Sequence, residues 1–327
     1  MSIEREKAVE LAKQEKYEEA SVLLQSSFEK GDIDALSDIG VIFERNEEFE
    51  VALNCYEKAS MLGSTMGTYN AANCYERGFG TEKDPLFSFL LYKKLSKQRF
   101  PDAFYKLSKF YKNGIVVDKD YKKALKTIIE GTKYESKTNS NPTCFITAGY
   151  YYETGVGTKP NYKKACKYYM KAAKQNSPLG MYDAALILIY KNKGKRIAEG
   201  LRLLNEAANR NYPDAYAELA VIYREGELVK KDIEYSDSLL NKGLKNNSWK
   251  AVLIYADVCL SESEGAMETE GAIIALAEYL ANSEEYFEDY EWLYKQIKNK
   301  HQKRIDWEKL ETNPRFFLED NKKIFTA

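Results

Sequence analysis

The sequence predicts an all-α fold, a right-handed superhelical solenoid of about eight helix pairs with a C-terminal helical cap. Three observations carry this. A run of the form small-x-x-x-apolar-small-x-x-Tyr-x-x-Gly occurs at Gly67–Gly78, Ala103–Gly114 and Ala215–Gly226. The small residue that opens such a run recurs at Ala35, Gly67, Ala103, Cys144, Gly180, Ala215 and Ala251, at intervals of 32, 36, 41, 36, 35 and 36 residues. A second pattern, small-x-x-x-large-x-x-small or apolar, follows each run. A fixed period of this length marks stacked supersecondary units, each of which buries its apolar face only against its neighbours.

The run itself is the first helix of each unit. With the opening small residue as position 1, position 5 is Ile39, Ala71, Leu107, Ala148, Ala184, Leu219 and Tyr255. Position 9 is Phe43, Tyr75, Tyr111, Tyr152, Leu188, Tyr223 and, exceptionally, Cys259. Positions 1, 5 and 9 share one helical face. Position 6 is small throughout (Gly40, Ala72, Ser108, Gly149, Ala185, Ala220, Ala256), which lets the next helix approach closely. Position 12 is glycine at Gly78, Gly114, Gly155 and Gly226, suited to the left-handed turn that ends a helix. Pro85 and Pro160 lie at or near the following helix starts, where the missing N–H needs no partner.

The second helices read Ala52…Tyr56…Ala59, Ala124…Ile128…Gly131, Ala165…Tyr169…Ala172 and Gly200…Leu204…Ala207. Weaker copies start at Ala20, Ser88, Ser236 and Ala272. Together these give eight pairs from near Ile3 to near Asn282, the first lacking clear first-helix signals and capping the array. The 41-residue interval places extra residues near 136–141, either a tolerated insertion or a finger at the groove edge. After Asn282 the pattern stops. Tyr286, Phe287, Tyr290, Leu293 and Ile297 still keep helical spacing, and the tail adds Trp307, Leu310, Phe316, Phe317, Leu318 and Phe325. The organisation is therefore residues 1–282 as the repeat array and 283–327 as a capping segment. The alternative for the second segment is a docking element for a partner.

These residues resemble the Sel1-like repeat family, relatives of the tetratricopeptide repeat. The likeness rests on Ala215–Gly226, on the Gly155-Val156-Gly157 loop and on Tyr162-Lys163-Lys164-Ala165 with Tyr168 to Ala173. It covers residues 1 to about 282. The second pair departs from the pattern, with Asn46 in place of glycine and a shorter loop, closer to a tetratricopeptide unit. The resemblance implies a protein-binding role, since such repeats serve many adaptors. One branch, secreted and cysteine-rich, has been linked to β-lactam binding. The positions of its bridging cysteines hold Ser60, Ala173 and Ala208 in this sequence, so that role is not expected.

Composition limits the chemistry. Forty-nine basic and 50 acidic side chains leave a net charge of −1, with no global pull toward nucleic acid or membrane. The first residues are charged and no window is apolar enough for a leader or a span, so the expected compartment is the cytoplasm, with signal-less export left open. Five cysteines without a C-x-x-C pair point to reduced thiols. The single histidine, His301, stands among basic residues, and no phosphate loop, Rossmann fingerprint or zinc motif is present. The chain is thus expected to be non-enzymatic, with no cofactor, metal or catalytic residue. Gly78-Phe79-Gly80 and Gly155-Val156-Gly157 follow helices and are repeat loops.

The 26 tyrosines are the compositional outlier; a phenol fills packed interfaces and binding surfaces alike. In tetratricopeptide arrays first helices line a concave groove, and this register puts positions 3, 7 and 10 there. The expected partner-binding residues are Tyr69, Asn73, Tyr105, Lys109, Lys112, Tyr150, Glu153, Tyr182 and Leu186. Position-3 tyrosines serve repeat packing equally well; Tyr150, at position 7, is the less expected aromatic. A lysine stripe on Lys163, Lys167, Lys171 and Lys174 reads as a solvated outer face, with phosphate contact as the alternative. Residues 251–294 hold eleven acids and no base, and residues 295–304 are basic. That order suits the helix dipole, and it also offers a basic partner the acidic end at Glu284, Glu285, Glu288 and Asp289. The functional reading is a scaffold or adaptor holding a protein or peptide in the first-helix groove. The alternatives are an inhibitor, immunity or effector protein clamping one folded target, and an enzyme without a recognisable motif.

Overall fold

In the computed structural model, residues 2–135, 142–191, 196–262, 266–303, 305–312 and 314 are described, without the side chains of 262, 266–269 and 283–289. The extra residues at 136–141 and most of the tail lie outside the described residues. The chain forms two compact units, Met1–Gln175 and Asn176–Ala327.

Unit 1 is five antiparallel pairs: α1 (Ile3–Lys13) with α2 (Tyr17–Glu29), α3 (Ile33–Arg45) with α4 (Phe49–Met61), α5 (Thr65–Arg77) with α6 (Pro85–Lys97), α7 (Pro101–Asn113) with α8 (Tyr121–Gly131), and α9 (Thr143–Thr154) with α10 (Tyr162–Lys174). Unit 2 continues the plan with α11 (Pro178–Leu186) and α12 (Ile197–Asn209), α13 (Pro213–Glu225) and α14 (Ile233–Lys245), α15 (Trp249–Glu262) and α16 (Ala266–Ala281). It ends on α17 (Ser283–Lys300) and α18 (Trp307–Thr312). All regular structure among the described residues is helical, and the eight predicted pairs are present. A π-helical turn, Ile187–Lys191, continues α11, whose unit lacks the position-12 glycine.

Short-range signals set the helix ends. Asp84, Asp120, Asn161 and Asp232 each accept a backbone N–H from the first turn of the second helix they precede. Gly78, Gly114, Gly155 and Gly226 close first helices at φ 82°, 71°, 83° and 75°. In the Gly-x-Gly loops the second glycine has a different job. A Cβ at Gly157 would stand 2.2 Å from the carbonyl oxygen of Tyr121, so only glycine lets this loop cross the start of α8.

The repeat positions explain the packing within each pair. A Cβ at Gly40 or Gly149 would lie 2.5 Å from a ring carbon of Tyr56 or Tyr169. Position 6 is small because the large residue of the second helix fills the space above it. Tyr56, Tyr92 and Tyr169 are at most 2 % exposed, and their hydroxyls reach the position-10 glutamates: Tyr56 to Glu44 at 2.7 Å, Tyr92 to Glu76 at 2.8 Å, Tyr169 to Glu153 at 2.8 Å. A buried hydroxyl without a partner costs about 1–3 kcal/mol, so each glutamate is part of the repeat's packing code.

Unit 2 ends on an apolar cluster. Tyr294, Ile297, Ile305, Trp307 and Leu310 bury against Leu253, Leu276 and Tyr279 of α15 and α16. The Trp307 indole N–H donates to the His301 carbonyl, and the His301 ring lies 2.8 Å from Asp257.

Candidate functional site

The predicted groove residues of unit 1 come from three successive first helices. On α5, Tyr69, Asn73 and Glu76 lie one turn apart; on α7, Tyr105, Lys109 and Lys112 do the same; α9 adds Tyr150 and Glu153. Their surroundings divide them. The half-buried Tyr69 ring packs on Tyr92 and Phe100, with centroids 5.8 and 5.4 Å away. Burial pushes its hydroxyl up to about 12, with the charge of Asp102 adding to the shift. The Tyr92 hydroxyl lies 2.7 Å from Asn73 Oδ1 and 2.8 Å from Glu76 Oε2, and Lys106 Nζ donates to the same Glu76 oxygen at 2.8 Å. Asn73, Glu76 and Glu153 therefore hold buried second-helix tyrosines, and Lys106–Glu76 ties α7 to α5.

What this face offers a partner is narrower. Lys109 is exposed, with its ammonium 5.6 Å from the Tyr105 ring centroid. Lys112 stands 5.5 Å from the ring centroid of Tyr150, which is 44 % exposed, and so links α7 to α9. Two lysines over two phenols, the half-buried Tyr105 and the exposed Tyr150, form a pre-positioned cationic–aromatic strip on α7 and α9. Rings held in place by neighbours lose little entropy on contact, which suits an anchor surface.

Unit 2 treats the same register positions differently. Tyr182 is 7 % exposed, and burial raises its hydroxyl well above the ordinary range, with Glu218 and Asp214 contributing. Lys250 Nζ donates to the Tyr182 hydroxyl at 2.9 Å and pairs with Glu218, which also accepts from Tyr190 at 2.5 Å. The Tyr290 hydroxyl of α17 reaches Asp214 at 2.5 Å, and Ser248 reaches the other oxygen of that carboxylate at 2.6 Å. A buried ion pair with Tyr182 and Tyr290 thus fills this face of unit 2, while Tyr190, bonded to the same Glu218, stays 50 % exposed. Leu186 is half-buried at the end of α11. The side chains of Glu284, Glu285, Glu288 and Asp289 lie outside the described residues.

Sequence reading missed Lys106, Glu218 and Lys250. A signal existed: position 4 carries Asp38, Lys106 and Glu218, charged residues where the packing pattern needs none. It also missed Glu135. This buried carboxylate accepts the N–H groups of Cys144 and Phe145 at 3.1 and 2.9 Å, capping α9 where Pro142 offers no side-chain cap. Burial raises the Glu135 carboxyl to about 7.

Comparison with known proteins agrees with this geometry. The Sel1 repeat model matches residues 44–64, 65–99, 101–126, 144–177 and 213–236. These five segments are Sel1 repeats. Among solved structures, a Sel1 repeat protein from Oxalobacter formigenes is 22 % identical with a TM-score of 0.62, covering 73 % of this chain and 98 % of its own. A protective antigen of uropathogenic Escherichia coli with an SLR fold is 17 % identical with a TM-score of 0.59, covering 86 % of this chain. The present chain spans 61 % of that antigen's length. Yeast Tom70 is 15 % identical at a TM-score of 0.50, covering 94 % of this chain and 63 % of its own. At these identities the likeness is one of fold. Comparison with curated proteins finds no match. Among the described residues, no helix is long and apolar enough to cross a membrane. No group of three His, Cys, Asp or Glu among them is placed to hold a metal ion.

Proposed function

We propose that this protein is a non-enzymatic, cytoplasmic interaction scaffold that holds a partner polypeptide on the first-helix face of unit 1. The observation that carries the reading is the strip Tyr105, Lys109, Lys112 and Tyr150. Its rings and ammonium groups, exposed at Lys109 and Tyr150 and half-buried at Tyr105 and Lys112, are paired with one another, and the glutamates of the same face are committed to tyrosine hydroxyls. Tyrosine supplies contact area at low entropic cost, and two lysines select segments bearing carboxylates. Tyr69, Asn73 and Glu153 belong to the reading as the frame of that strip. The family's typical non-enzymatic role supports it.

The test is crosslinking and co-purification from the native host, comparing wild type with a variant carrying Tyr105→Ala, Lys109→Ala and Tyr150→Ala. All three side chains are half-exposed or exposed, so far-UV circular dichroism should be unchanged. Loss of a specific partner by about tenfold or more is expected, as for anchor residues. A partner retained at wild-type level by the folded variant defeats the proposal.

A further inference from the structure

The opposite, second-helix face of unit 1 carries a separate charge feature. Helices α6, α8 and α10 hold eleven lysines, no arginine and one acid, Glu130. None of the eleven forms an ion pair among the described residues; Glu130 pairs with Lys133, beyond α8. Lys123, Lys164 and Lys171 instead lie over rings of Tyr111, Tyr152 and Phe145, at 4.3, 4.9 and 5.1 Å. Elsewhere in the unit the cations of Arg5 and Lys106 have carboxylate partners. The lysines of this face thus outnumber its carboxylates, with Glu130 acting on Lys133 and Lys126. In a chain of net charge −1, that is a local concentration and not a general basicity.

The face also has relief. A cleft of about 690 Å³ opens between α6 and α8, with Lys93, Lys122, Lys123 and Lys126 exposed along it against two carboxylates, Asp120 and Glu130, and with the buried Phe104, Leu107 and Tyr111 in its floor. Beside it, α6 exposes Leu86 and Leu90 at 55 and 50 %. A cleft with an apolar floor, an adjacent aliphatic pair and a lysine rim matches an acidic polypeptide segment carrying apolar anchors. Nucleic acid fits less well: the basic residues are all lysine, which lacks the planar fork that pairs bidentately with phosphate.

We infer that the α6–α8 cleft is a second docking site, independent of the first-helix strip, for an acidic peptide segment with apolar side chains. The lysines provide attraction and orientation, and the floor and Leu86–Leu90 provide the contact that selects peptide over simple polyanion.

The experiment is fluorescence anisotropy with the full chain and a labelled synthetic peptide of repeated Glu-Glu-Leu-Phe units. The analogue with Gln for Glu, oligothymidylate, and phosphatidylcholine vesicles containing phosphatidylserine run beside it. The Glu peptide should bind about tenfold or more tighter than the Gln analogue and weaken as salt rises. The variant Lys93→Glu, Lys122→Glu, Lys126→Glu should lose that binding. A variant with the same type of change on α14, Lys242→Glu and Lys245→Glu, should keep it, which separates the cleft from bulk charge. The first-helix variant should also keep it. The inference is overturned by equal binding of the Gln analogue, by full binding to the cleft variant, or by oligothymidylate or vesicles binding tighter than the peptide.

Discussion

Glu135 shows how one side chain completes an element that its own sequence leaves unfinished. α9 starts after Pro142, which offers no cap, and its first N–H groups are satisfied from outside by this carboxylate. Replacing it with alanine should cost about 1–2 kcal/mol in urea denaturation, the usual size for a lost cap. The protonation behaviour gives a sharper signature. Burial raises the folded carboxyl from its ordinary 4.5 to about 7, so the folded state holds a proton that the unfolded state has released between those values. The stability linked to this group is complete below the ordinary value and declines as pH rises through about 7. Wild type should therefore lose ground against Glu135→Gln between about pH 5 and pH 8, and a constant gap between the two across that range would refute the assignment.

At the scale of the helix pair, position 6 and the second-helix tyrosine form one device. Gly149→Ala places a methyl 2.5 Å from the Tyr169 ring, closer than packed carbons stand, and should destabilise the protein by about 1–3 kcal/mol, the usual cost of overpacking. Tyr169→Phe keeps the ring and removes the hydroxyl that meets Glu153; it should cost about 1 kcal/mol. Thermal melts of the two variants would test the ranking, and equal losses would contradict it. The pairs were legible because small and large residues recur at fixed spacing, and spacing is what packing constrains. The tyrosine–glutamate bond was legible too, since position 10 is acidic in each unit whose second helix carries that tyrosine. Reading one helix at a time hid it. The burial of Tyr182 was not legible. It depends on Glu218 and Lys250 arriving from one and two repeats along, and single-helix periodicity carries no such information. The π-helical turn had only a faint sign, the spacing of 20 residues from Gly180 to Gly200 against 21 from Ala215 to Ser236.

For the whole molecule the governing fact is that within each unit the helix pairs pack on their neighbours, so each unit has ends, and an apolar end needs a cover. In unit 2 the cover is intramolecular: Tyr294, Ile297, Trp307 and Leu310 close over Leu253, Leu276 and Tyr279. Assigning residues 283–327 to a cap makes a prediction with spatial resolution. A chain ending at Asn282 exposes this cluster, so hydrogen exchange should accelerate by about tenfold or more in α15 and α16. Helices α3 to α9 belong to the other compact unit and should keep wild-type protection. Two results would overturn the argument in different ways. Unchanged protection of α15 and α16 would mean that the segment covers nothing their stability needs. An equal loss from α3 to α16 would mean that the array opens as one block, and that nearest-neighbour packing does not set its stability.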